Sequence, residues 1–124
     1  VNSTAFPHYL PEDWLRFAAR ACSQHSSEVT LDYDPNITAA LSSATSGLQP
    51  EELWALFDTL ISTPALLIRG ALSDLLDSSC AQDMQRRHGA MEFLEVPGVG
   101  HAPMLDESGV SAAIIKFLSL PVVH

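Results

Sequence analysis

Two short apolar runs, each closed by glycine and followed by one chemically capable side chain, constrain this chain more than any other feature. The first reads Thr63-Pro64-Ala65-Leu66-Leu67-Ile68-Arg69-Gly70, then Ala71-Leu72-Ser73-Asp74-Leu75-Leu76. The second reads Met91-Glu92-Phe93-Leu94-Glu95-Val96, then Pro97-Gly98-Val99-Gly100-His101-Ala102-Pro103. An apolar run of about 4–8 residues bounded by turn signals is the pattern of a buried parallel strand. A helix-compatible segment separates the two, so the unit reads strand, loop, helix, strand, loop. Parallel strands joined by right-handed crossovers end at the same edge of a sheet. Asp74 and His101 are therefore expected to leave one rim, where open α/β sheets hold their sites.

A carboxylate and an imidazole at one rim suit nucleophilic hydrolysis. A serine hydroxyl is a poor nucleophile until an imidazole takes its proton, and the imidazole needs a carboxylate to fix its tautomer and steady the imidazolium. The plain alternatives are a turn or cap aspartate and a histidine in a glycine-rich loop without chemistry. Asp77 reads better as a helix cap. Glu95 alternates within a strand and faces solvent or pairs with Arg69, whose presence in a strand is explained by that salt bridge. Asp106 and Glu107 look like dipole partners at a helix start. His8, His25, His88 and His124 lie in segments without a matching loop and read as surface or terminal residues.

The Pro64–Asp74 run and the Gly98–Pro103 loop resemble the C-terminal part of the α/β-hydrolase fold, in a bacterial branch whose acid sits in a Ser-Asp-x-Leu turn. The likeness is specific over about residues 50–118 and looser before them, where Tyr33-Asp34-Pro35-Asn36-Ile37 is similar to a segment returning from the lid. It implies Asp74 as the triad acid and His101 as the triad histidine, general base and then acid. It also implies a serine-type hydrolase acting on an ester, amide or C–C bond of a small hydrophobic substrate. The nucleophile elbow G-x-S-x-G occurs nowhere in the chain, nor does a glycine-rich oxyanion loop before the strands. The expected fold is α/β: the C-terminal fragment of an α/β-hydrolase fold, about two parallel strands with flanking helices plus a helical lid remnant. The expected division is residues 1–49 as lid remnant and return segment and 50–124 as the C-terminal β/α part of the core. The abrupt start at Val1 suits a piece of something longer, inactive alone for want of a nucleophile.

The remaining elements follow from local signals. Pro11, Glu12 and Asp13 open a helix expected over 11–24, with Trp14, Phe17, Ala18 and Ala21 as a packing stripe. Gln24–Ser27 is a polar break, and Val29–Tyr33 alternates as a short extended segment. Asp34 and Pro35 start a helix with Ile37, Ala40, Leu41 and Ala44 on one face. Ser42–Pro50 reads as a loop, and Pro50 opens a helix capped by Gln49 or Ser46. That helix carries Leu53, Trp54, Leu56, Phe57 and Leu60. Strands are expected at Ala65–Ile68 and Met91–Val96. Between them a crossover helix begins at Asp77 or Ser78, shows Cys80, Ala81, Met84 and Arg87 at compatible spacing, and ends at His88-Gly89. A last helix spans Asp106–Leu120, with Val110, Ala113, Ile114, Phe117 and Leu118 buried and Pro121 closing it.

Bulk composition narrows the partners. The net charge is −9 with only six Lys+Arg, a poor match for nucleic acid or an anionic membrane. No apolar run reaches the roughly 18 residues of a membrane span, and Val1-Asn2-Ser3-Thr4 lacks the features of a signal peptide. Cys22 and Cys80 read as two free thiols in the cytoplasm, and no Cys/His spacing suits a metal. No cofactor or metal is expected; the partner is a small-molecule substrate. A reading of another class is a non-catalytic interaction module that self-associates or swaps elements through open sheet edges. A receiver-like or flavodoxin-like domain is weaker, since it needs about five strands.

Overall fold

The structure, a computed structural model, describes residues 4–45 and 47–119. The expectations for Val1–Ser3, a Ser46 cap, the end of the last helix at Leu120, Pro121 and His124 lie outside these residues. Two compact units are present: Tyr9–Leu56, and Phe57 onward together with the residues up to His8.

The Tyr9–Leu56 unit holds α1 (Pro11–Ala21), a hairpin of β1 (Cys22–His25) and β2 (Glu28–Leu31), α2 (Asn36–Thr45) and most of α3 (Pro50–Asp58). Pro11 starts α1, and the Asp13 carboxylate accepts the Leu10 N–H at 2.7 Å, satisfying a donor the helix cannot. The helix stops at Ala21 and not at residue 24, because Cys22 turns extended and pairs with Leu31 in an antiparallel ladder. Four residues that lack β-branching thus become a strand by acquiring a partner. The packing stripe of α1 is corrected too: none of its residues is buried. Its aromatic side chains meet each other instead, Tyr9 on Trp14 at 5.5 Å and Trp14 edge-on to Phe17 at 6.2 Å between ring centroids.

Asp34 leads into α2, its carboxylate accepting the Asn36 N–H at 2.9 Å, and the helix starts at Asn36, one residue after the expected Pro35. The helix runs on through Thr45, so the first part of the predicted Ser42–Pro50 loop is helical, and Ile37, Ala40 and Leu41 are exposed. Gln49 precedes α3, where Glu52 reaches back to its N–H at 2.8 Å.

The second unit holds β3 (Leu66–Gly70), α4 (Ser78–His88), β4 (Glu92–Val96) and α5 (Val110–Leu118). Strands β3 and β4 are parallel, in register from Leu66 opposite Glu92 to Gly70 opposite Val96, and α4 is the crossover between them. Asp77 caps α4: its carboxylate accepts the Cys80 N–H at 2.7 Å and the Ser79 hydroxyl at 2.8 Å. Gly89, at φ 70°, ends the helix in a left-handed conformation that glycine adopts without strain.

Three expectations fail in this unit. His88 is not a surface residue but 5% exposed. Its Nε2 lies 2.9 Å from the Thr63 carbonyl, joining the end of α4 to the approach of β3, while its Nδ1 is buried without a hydrogen-bond partner. The last helix begins at Val110, not Asp106. Glu107 accepts the Met104 N–H at 2.8 Å and its carbonyl accepts the Val110 N–H at 3.1 Å, a turn that precedes the helix. Val110 is fully buried, whereas Leu118, expected on the same stripe, is 73% exposed. Buried apolar side chains among the described residues are Phe6, Ala81, Val96, Val99 and Val110, gathered mainly around the ends of β4 and α5. No helix among the described residues is long and apolar enough to cross a membrane.

Candidate active site

Both chemically capable loops leave the C-terminal ends of β3 and β4, and backbone hydrogen bonds stitch them together. The Ala71 N–H donates to the Val96 carbonyl and the Leu72 N–H to the Val99 carbonyl, each at 2.9 Å. Gly70 packs so closely on the second loop that a Cβ there would collide with the carbonyl oxygens of Val99 and Gly100. Asp74 follows Leu72 by two residues and His101 follows Val99 by two. The chain thus brings the two segments to one edge by ladder and loop contacts. Both residues are exposed, and among the described residues no hydrogen bond joins the Asp74 carboxylate to the His101 imidazole.

The turn carrying Asp74 is closed on both sides. The Ser73 N–H donates to the Gly70 carbonyl at 3.0 Å, and the Leu76 N–H donates to the Ser73 hydroxyl at 3.0 Å. Arg69, only 6% exposed, donates through Nε to the Leu76 carbonyl at 2.7 Å and through Nη1 to Glu95 at 2.6 Å. The expected Arg69–Glu95 ion pair is present, since the two residues are opposite each other in the β3–β4 register. Asp77, just beyond this turn, has its carboxyl held below the ordinary 3.8. The Cys80 N–H is the main cause and the Ser79 hydroxyl the next.

The histidine loop has a second support that nothing in the sequence signals. A Cβ on Gly98, which sits at φ 68°, would lie 2.7 Å from the His8 ring, and one on Gly100 would lie 2.6 Å from the Ala5 methyl. His8, expected to be an incidental surface residue, is exposed but rests against the backbone that carries His101. Among the described residues no group of three His, Cys, Asp or Glu side chains is arranged to hold a metal ion.

No family model matches the chain. A 3-hydroxybutyrate-oligomer hydrolase from Cupriavidus necator is 32% identical over 94% of this chain and 42% of its own length. A crystal structure of an α/β hydrolase from Novosphingobium aromaticivorans superimposes with a TM-score of 0.76 at 36% identity, over 94% of this chain and 41% of that one.

The fold is that of part of an α/β hydrolase.

The chain spans about two fifths of the length of each relative. The parallel β3–α4–β4 unit and the flanking helices thus have the arrangement of a portion of an α/β-hydrolase fold. That agrees with the resemblance carried by the Pro64–Asp74 and Gly98–Pro103 segments.

Proposed function

We propose that this chain supplies the acid and the histidine of a serine-type α/β hydrolase, with Asp74 orienting the imidazole of His101. His101 takes the proton from a serine hydroxyl as that oxygen attacks the substrate carbonyl, then returns it to the leaving group. Asp74 steadies the imidazolium formed between those steps. The serine and the oxyanion donors come from sequence outside these 124 residues. The observation that carries the reading is the stitching of the two loops, Leu72 N–H to the Val99 carbonyl at 2.9 Å with Gly70 packed against the same backbone.

Among ester, amide and C–C bonds, an ester is favoured. The Cupriavidus relative is named for 3-hydroxybutyrate oligomers, and oligomers of a hydroxy acid are joined by esters. Leu72 and Leu75 beside Asp74 and Leu105 after His101 are exposed, which suits a short apolar acyl chain. The free thiols Cys22 and Cys80 support a cytoplasmic location.

Fluorophosphonate labelling of the full-length protein tests the assignment. His101→Asn is expected to slow labelling by about 100-fold or more, since the serine then has no base. Labelling at the wild-type rate in that variant would remove His101 from the mechanism.

A further inference from the structure

Arg69 is the one cation among the described residues that is almost wholly buried, at 6% exposure. Burying a guanidinium is costly unless its charge and its directional donors are matched. Both are matched here, by groups belonging to the two loops' own framework. Nη1 meets the Glu95 carboxylate at 2.6 Å, on the strand that leads to His101. Nε meets the Leu76 carbonyl at 2.7 Å, at the far end of the turn that contains Asp74. The near end of that turn is fixed by the Ser73 N–H on the Gly70 carbonyl and by the Ser73 hydroxyl under the Leu76 N–H. One side chain therefore ties the acid turn to both strands.

We propose that Arg69 is a positioning residue: it acts through Asp74, holding the Ser73–Leu76 turn that carries it at the strand edge shared with the His101 loop. This rests on the Asp74–His101 reading given above. The planar fork is what the role needs. A lysine at 69 keeps one positive charge for Glu95 but cannot direct a second, fixed donor to the Leu76 carbonyl. Displacing a catalytic group by about 1 Å is enough to cost roughly 100-fold in rate.

The test is the kinetics of fluorophosphonate labelling of the full-length protein, separating the maximal rate constant from the half-saturating probe concentration. Arg69→Lys, with circular dichroism and melting temperature close to wild type, is expected to lower the maximal rate about 10-fold to 100-fold. The half-saturating concentration should stay within about twofold, because the probe's own contacts are untouched. In an Asp74→Asn background the same change is expected to have no further effect, since the group it positions is already lost. Glu95→Gln, at a half-exposed position, gives a smaller loss in the same direction and serves the test if the lysine variant does not fold.

Slow labelling by Asp74→Asn and His101→Asn together with a wild-type rate in Arg69→Lys would overturn the role of Arg69 alone. An equal loss from Arg69→Lys in both backgrounds would do so too, as the mark of a general structural effect. Unchanged labelling in Asp74→Asn and His101→Asn, or no labelling of the wild-type protein, would overturn the triad reading and this proposal with it.

Discussion

Replacing Gly70 by alanine forces either β3 or the His101 loop to move, because the new methyl group would occupy space held by the Val99 and Gly100 carbonyls. Those atoms are backbone and cannot rotate away as a side chain can. Overpacking of this kind costs about 1–3 kcal/mol, and the shift falls on the contact that aligns the two loops. Gly70→Ala is expected to lower the unfolding free energy measured by urea titration by that amount and to slow active-site labelling. Wild-type stability in the variant would mean that the loops are not in such close contact. The sequence marks Gly70 only as the end of an apolar run; the need for a missing side chain comes from a loop that lies a strand and a helix further along the chain. Arg69 with Glu95 was legible, since alternation along two paired strands puts both on one side. His88 was not, because its burial depends on the Thr63 carbonyl, 25 residues away.

At the scale of elements, legibility follows the strength of local punctuation. Pro64, Gly70, Gly89 and Pro97 bracket β3, α4 and β4, and the observed bounds differ from the expected ones by only a residue or two at most ends. The β1–β2 hairpin has no such brackets and exists through pairing, while α5 starts only at Val110 because the acidic residues that imitate a helix start form a preceding turn. The α4 cap offers a direct check. Asp77 accepts its two hydrogen bonds more strongly as a carboxylate than as the neutral acid, so its folded pKa lies below the ordinary 3.8. A depressed carboxylate stabilises the folded chain above the unfolded value, and that contribution fades as pH falls through the lower, folded value. The stability gap between wild type and Asp77→Ala should be full at about pH 6 and shrink at pH values below about 3.8. Melting curves across that range give the answer; a gap of constant size would show that the charge on Asp77 contributes nothing to the cap.

For the molecule as a whole, the parallel pair β3–β4 is the feature with the strongest consequence. Parallel sheets are ordinarily buried on both faces and extended by further strands, yet among the described residues this sheet has two strands, each with an outer edge. Phe93 on β4 and Leu118 on α5 are exposed, and Leu75 beside Asp74 is 76% exposed. In relatives more than twice as long, additional sequence is available to cover such surfaces. The isolated 124-residue chain is therefore expected to self-associate, with open edges and apolar side chains supplying the attraction. A net charge of −9 opposes this, and the two effects separate by salt. Repulsion between like-charged copies is screened over about 10 Å at 0.1 M ionic strength, whereas apolar burial is not weakened by salt. Sedimentation velocity should accordingly show dimers or larger species whose population grows as sodium chloride is raised. Dissociation on adding salt would assign the contacts to ion pairs instead, and a monomer at every salt and protein concentration would show that these edges do not attract one another.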